Sequence, residues 1–313
     1  MLLKHARSAC RAARLASVIA VAAGICIAPA LASAHSLAGE SAAAPHIGWS
    51  FEPWVVALLA LAAGLYALGL ARLWPRAGSG RAVHTRRAFA FAAGWLATAA
   101  ALVSPLDALG AYLFSAHMVQ HEVLMVVAAP LFVLGRPLGV FAWALPLSWR
   151  RGLGAFFHRP GWRGPWLLLT APLCAWILHA LVLWLWHVPA AFEAALANDG
   201  VHALQHASFL IAALIYWWSV FGLGPERHGG AAMASLFTTM VHTGALGALL
   251  TLSSVPWYPS YAGRTLAFGL DPLEDQQLGG LVMWIPAGAA YVACGLATAA
   301  RWLQRQERVQ RPA

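Results

Sequence analysis

Charge is scarce in this chain: 10% of its 313 residues are Asp, Glu, Lys or Arg, 61% are hydrophobic, and the mean hydropathy is +0.67. Soluble domains carry about a quarter charged residues, so the scarcity excludes a water-soluble globule and points to a protein with several membrane spans. Cysteine is scarce too. Cys10 and Cys26 fall in the N-terminal leader, while Cys174 and Cys294 stand alone in apolar runs. With no C-x-x-C pair, neither a disulfide framework nor a thiolate metal site is indicated, and the two isolated cysteines read as small buried hydrophobes. Glycine-rich phosphate loops and nucleophile elbows are absent. His121-Glu122 starts like a zinc-protease H-E-x-x-H, but the fifth position is Met125, so that chemistry is excluded as well. The net charge of +9 does not imply nucleic acid, because the chain lacks the exposed polar surface on which such basic clusters sit.

What is present is length in apolar runs. Residues 1–34 read as a cleavable signal, with Lys4, Arg7, Arg11 and Arg14 ahead of an apolar stretch from Leu15 to Ala28 and a small-residue site at Ala32-Ser33-Ala34; an uncleaved first helix is the alternative. Residues 35–53 then form an external segment. Seven spans follow in a membrane domain of residues 54–300: Trp54–Leu73, Ala88–Val103, Ala111–Leu134, Trp166–Trp186, His202–Phe221, Ala231–Leu252 and Gln277–Ala300. The fold class expected is therefore an all-α polytopic membrane bundle, N-terminus out and C-terminus in, closed by a basic tail at 301–313.

The basic residues supply an independent vote on orientation. Arg72, Arg76, Arg81, Arg86 and Arg87, then Arg136, Arg150, Arg151, Arg159 and Arg163, then Arg227 and the tail arginines all fall on the side this order makes cytoplasmic. Arg264 alone falls outside. That asymmetry satisfies the positive-inside rule and assigns the chain to a bacterial plasma membrane, with the bilayer rather than nucleic acid as the partner of its positive charge. Residues 136–164 interleave aromatics with arginines and are cut by Pro137, Pro146 and Pro160, which predicts a segment lying on the inner membrane surface.

Two pieces, His117-Met118-Val119-Gln120-His121 and His202-Ala203-Leu204-Gln205-His206, both spell H-x-x-Q-H inside apolar runs. Residues four apart share a helix face, so each piece offers two imidazoles in one direction. At about 1.5 Å rise per residue, His117, His121, His187, His202 and His206 fall in the outer half of the bilayer. His179 lies eight residues below His187, and His242 near the middle of its span. Intramembrane ionisable groups mark function by default; the structural alternative for each is a hydrogen bond to a neighbouring helix or a water. Met118, Glu122 and Met125 stand beside the first pair, and imidazole with thioether suits copper, Cu(I) above all. The paired glutamines are placed to hold imidazole tautomers. His35, if it becomes the first residue, adds an amine and imidazole able to chelate Cu(II), with His46 nearby. Glu274, Asp275, Gln276 and Gln277 stand at the outer mouth of the last span, where they could attract a cation, dock a partner or simply be solvated.

Four segments carry a resemblance: FSAHMVQHEVLMVVAAPLFVLGRP at 114–137, WHVPAAFEAAL at 186–196, VHALQHASFLIAALIYWW at 201–218 and DPLEDQQLGGLVMWIP at 271–286. In order and spacing they are similar to the CtaG-type assembly factors of caa3-type cytochrome c oxidase, multispan bacterial membrane proteins. The resemblance implies a non-enzymatic role in maturing a haem-copper oxidase, with oxidase subunits or other copper-delivery proteins as partners and His117, His121, His187, His202 and His206 as the residues that would hold copper. Two other readings of the histidines remain: a haem-carrying electron-transfer protein, since imidazoles facing each other can ligate haem iron axially, and a copper transporter.

Overall fold

Prolines set the punctuation of this fold. A proline fixes φ near its helical value and lacks the N–H that a first-turn residue would leave unpaired, so it starts helices well and interrupts them badly. In the computed structural model, which describes residues 47–222 and 225–310, most helices begin on one. In chain order they are α1 (Pro53–Leu73), α2 (Arg81–Val103), α3 (Pro105–Gly110), α4 (Phe114–Glu122), α5 (Ala129–Gly135), α6 (Pro137–Ala144), α7 (Leu147–Phe157), α8 (Pro160–Leu169), α9 (Pro172–His187), α10 (Pro189–Ala197), α11 (Asp199–Phe221), α12 (Pro225–Thr251) and α13 (Pro272–Gln310). No strand occurs among the described residues. The expected signal, residues 1–34, lies outside them together with His35 and His46.

Five stretches are long and apolar enough to cross a membrane: Pro53–Arg76, Phe114–Gly135, Asp199–Phe221, Gly230–Thr251 and Pro272–Gln304. Two of the seven expected spans differ. Ala88–Val103 lies in α2, which has the length, but its opening Arg81, Arg86 and Arg87 and its alanine-rich remainder leave it short of the apolarity of the other five. Trp166–Trp186 is not one rod; α8 and α9 meet at a 66° bend. Pro172 explains the break, because it cannot donate to the preceding turn and forces Ala171 into an extended conformation (φ −62°, ψ 137°).

Residues 136–164, expected on a membrane surface, fold as short helices that start at their prolines. Neither α7 nor α8 buries a side chain. Arg136, barred from the right-handed region by the proline after it, takes φ 46° and turns the chain from α5 into α6. Within the expected basic tail, residues 301–310 continue α13 without a break.

Between α4 and α5 the helix widens into a π-helical turn, Val123–Ala128. Pro130 follows it, lacking an N–H and crowding the carbonyl four residues back, and Trp217 Nε1 on α11 donates to the Met125 carbonyl at 2.8 Å. The extra residue in that turn rotates the face of α4 relative to α5.

The core has two parts. The main one gathers Phe114, Met118, Met125, Phe192, Phe209, Tyr216, Trp217, Leu246, Leu250, Met283 and Tyr291 from α4, the π-helical turn after it, α10, α11, α12 and α13. A satellite of Tyr66, Phe91 and Val140 joins α1, α2 and α6, with the Tyr66 and Phe91 rings stacked at 3.8 Å. Close approach of α13 to α4 needs Gly279, where a Cβ would stand 2.4 Å from the Phe114 ring.

Candidate metal centre

The first H-x-x-Q-H opens α4, whose N-terminus carries no capping side chain of its own: Leu113 stands at the N-cap. Asp275, from the first turn of α13, supplies the cap. Its carboxylate accepts from Phe114 N at 2.6 Å, from Ser115 N at 3.2 Å and from Ser115 Oγ at 2.5 Å, and it is fully buried. Negative charge at a helix N-terminus satisfies orphan N–H groups and the helix dipole together. Two residues beyond Ser115 comes His117, so this contact fixes both the height and the rotation of the histidine face.

The second H-x-x-Q-H opens α11, where Asn198 is the cap and accepts from Val201 N at 3.0 Å. His187 closes α9. Its Nδ1 donates to the Leu183 carbonyl at 2.7 Å, which leaves Nε2 with the lone pair, and Nε2 lies 3.4 Å from Met118 Sδ. The main chain there is pinned as well, since Tyr258 Oη donates to the His187 carbonyl at 2.9 Å.

These three helix ends converge. Ring centres of His117 and His121 are 4.4 Å apart, of His202 and His206 4.2 Å, and across the two motifs His117 stands 5.2 Å from His202 and 5.6 Å from His206. His121 is 5.2 Å from His206 and 6.1 Å from His187. One nitrogen each from His117, His202 and His206 can be chosen so that all lie within 4.8 Å of one another. Metal–imidazole bonds are about 2.0–2.1 Å, so nitrogens on one ion stand at most about 4.2 Å apart; the set would have to close by no more than about half an ångström to share one.

The nitrogens are short of partners. Both of His121, Nε2 of His202 and Nε2 of His206 are buried with no hydrogen bond. Buried polar atoms without partners are costly, and lone pairs left this way are electron donors waiting for an electrophile. His117, His121, His187 and His206 are buried, whereas His202 keeps some exposure. Above them the aromatic rings of Phe114, Phe192, Tyr258 and Tyr261 pack face to edge and face to face. Tyr261 Oη donates to the Gly110 carbonyl at 2.9 Å. Burial pushes both Tyr258 and Tyr261 above the usual phenol range, so they stay protonated donors. Glu193 on α10 ties the segment down by accepting from Ser260 N at 3.2 Å and from Ser260 Oγ.

The sequence-expected residues separate into three groups. His117, His121, His187, His202, His206 and Met118 meet at one end of the bundle. His179 and His242 form a pair of their own, with ring centres 5.8 Å apart. Met125 packs in the main core, and Glu122, with its Oε2 buried and unpartnered, heads the π-helical turn. The two glutamines differ. Gln205 Oε1 lies 3.3 Å from His117 Nε2, so the second motif holds an imidazole of the first. Gln120 turns away and donates to the Ala101 carbonyl and to Asp107 at 2.8 and 2.9 Å, passing Gly110, where a Cβ would sit 2.6 Å from its oxygen.

In the Asp271–Gln277 segment Asp271 and Glu274 stay exposed while the following three residues reach protein partners. Asp275 is the cap of α4; Gln276 accepts from Trp257 N at 2.5 Å and reaches the Leu250 and Val255 carbonyls; Gln277 donates to the Ser253 carbonyl. These groups are occupied in holding helices and loop together. The one signal that could have revealed Asp275 is the missing cap at Leu113, a helix start with no Ser, Thr, Asp or Asn to satisfy it.

Comparison with known proteins adds the following. The family model described as cytochrome c oxidase caa3 assembly factor matches residues 64–305. Uncharacterized proteins of Mycobacterium bovis and Mycobacterium tuberculosis are each 28% identical over 282 residues, covering 83% of this chain and 40% of their own length. One from Mycobacterium leprae is 27% identical over 232 residues, covering 69% of this chain and 34% of itself. The chain thus spans well under half the length of these relatives. No solved structure matches it.

Proposed function

Because this chain belongs to the cytochrome c oxidase caa3 assembly factor family, we propose that it serves oxidase maturation by holding copper among His117, His121, His187, His202 and His206 and passing it to an oxidase subunit or another copper-delivery protein. The observation that carries this reading is the meeting of five imidazoles from three helix ends, with nitrogens of His121, His202 and His206 buried and unpartnered. No carboxylate joins the three-histidine set. Asp107 and Asp199 act on His202 without joining the set, so an ion there has no charged ligand, and the cost of charge in a medium of low dielectric rises with its square. A monovalent soft ion costs least, and the Met118 sulfur beside His187 favours Cu(I) further.

The site stands on the outer side in the orientation the arginines support, in a bacterial plasma membrane. His202, the least buried of the five, is the natural way in. Rings packed at 4–6 Å leave no slot for a macrocycle between them, which favours an ion over haem. The role proposed is carriage of the ion, in keeping with the assembly-factor family.

Metal analysis of the purified protein beside His117→Ala/His121→Ala and His202→Ala/His206→Ala tests the reading. Copper is expected in the wild type and lost from both double variants; a Soret band in the visible spectrum would support haem instead. A strain lacking the gene should make oxidase deficient in copper, and normal copper content in that oxidase would overturn the proposal.

A further inference from the structure

Below the histidine end the main core holds a second group of unpartnered polar atoms. His179 follows the face of His187 down α9 at a spacing of eight residues, with Leu183 buried between them, so the two imidazoles stand about 12 Å apart along the helix. On α11, Tyr216 lies ten residues beyond His206, or about 15 Å. Phe209, Ala212 and Ala213 fill the interval and are buried. The deeper group is therefore separated from the first by an apolar layer.

Its members come from three helices. His179 is fully buried and His242 of α12 partly so, and all four of their ring nitrogens lack a hydrogen bond. The buried hydroxyls of Tyr216, Ser235 and Thr239 lie together beside them, that of Tyr216 facing the other two. A core that needed only packing would have apolar residues here, since leaving this many buried donors and acceptors unsatisfied costs about 1–3 kcal/mol each. Two imidazoles bound to one ion at about 2 Å each hold their ring centres about 6 Å apart; His179 and His242 are 5.8 Å apart with planes crossed at 66°. Trp176 and Tyr216 flank the pair, their rings 5.5 Å from His242 and 4.8 Å from His179. Aromatic faces stabilise a cation that has lost its water.

We infer that His179 and His242 form a second metal station, a two-coordinate site for a monovalent soft cation, separate from the five-histidine centre and deeper in the bundle. Two neutral nitrogens and no carboxylate suit Cu(I), which accepts low coordination, and not a divalent ion whose charge the pair would leave uncompensated. This inference rests on the copper reading of the first site.

The test is a titration of the full-length protein in detergent with Cu(I) alone, under reductant and against a competing chelator. Wild type is expected to bind one ion at each centre, about two per chain. His179→Ala/His242→Ala should lose one ion while His202→Ala/His206→Ala loses the other. If the deep variant unfolds, His242→Leu removes a ligand at a half-buried position without opening a cavity and should lose the same ion. A wild type that binds one ion, lost only from the first-site variant, overturns the second station and leaves the first standing. So does a deep variant that keeps the full complement. No copper in the wild type removes both.

Discussion

The two cores of this protein solve different problems. The satellite of Tyr66, Phe91 and Val140 is held by shape: stacked rings at 3.8 Å, edges of Phe141 against both, and Gly135 allowing the helices to close. The main core is also buried but holds His117, His121, His179, Gln205 and Tyr216 in the same space, many with atoms unpaired. In lipid, burying apolar surface between helices gains little, because tails are as apolar as leucine; packing and polar contacts decide. Polar atoms in the main core therefore carry information that the satellite's rings do not. The contrast predicts that stability and metal binding come apart: lesions in the satellite should weaken the fold and spare the ion, and lesions among the histidines should do the reverse.

Phe91→Ala is the largest test. Its ring is buried against Tyr66, Phe132 and Phe141. Phe→Ala in a core typically costs about 3–5 kcal/mol, of which the transfer part shrinks when the unfolded helices stay in lipid. About 2 kcal/mol of cavity cost should remain, read as a lower unfolding midpoint in denaturing detergent. Bound copper should be unchanged. Equal loss of copper would mean the two cores are one cooperative unit.

Asp275→Asn comes next and tests the boundary between the two behaviours. The amide keeps the shape but loses the charge and one acceptor, and hydrogen bonds to charged groups are worth about 1.5–3 kcal/mol. We expect about 2 kcal/mol of destabilisation and, because α4 loses its anchor, weaker copper binding as well. This is a positioning residue: Asp275→Glu should recover part of the affinity, and unaltered affinity in Asp275→Asn would show that α4 needs no such anchor.

How far the sequence could foresee this arrangement depended on whether the signal was local. The spacing of four in each H-x-x-Q-H puts its imidazoles on one face, and the order of spans puts both motifs at one end; that the two faces meet laterally depends on packing, which spacing does not encode. The prolines at 137, 146 and 160 likewise announced locally that residues 136–164 are cut into pieces too short to cross. What came from distant parts of the chain was hidden. Near Ser115 the chain shows only that Leu113 offers no cap, not that Asp275 supplies it, and the two glutamines are identical in the motif but Gln120 faces Asp107 while Gln205 faces His117. Helix rotation decides between them, and rotation is set by packing that no single span encodes. The break at Pro172 was readable, since a proline inside an apolar run disrupts it wherever it lies; hydropathy summed over the run conceals it.

The smallest expected effect sharpens the comparison to one atom in each core. Tyr258 Oη donates to the His187 carbonyl at 2.9 Å, whereas the Tyr66 Oη is buried and has no partner. Removing a hydroxyl that is hydrogen-bonded costs about 1 kcal/mol, while removing one that is buried and unpaired is neutral or stabilising. Tyr258→Phe should therefore lower the unfolding midpoint slightly and release the carbonyl that holds His187 in place, raising the copper dissociation constant a few-fold. Tyr66→Phe should leave copper binding alone and hold or raise stability. If both variants lost stability equally, the satellite hydroxyl would have a partner after all, and the division between a core held by shape and a core held open for a ligand would have to be drawn elsewhere. If only Tyr258→Phe weakens copper, the aromatic cover over the histidines acts on the ion through the backbone of His187, and the polar atoms of the main core are tuned to the site rather than to the fold.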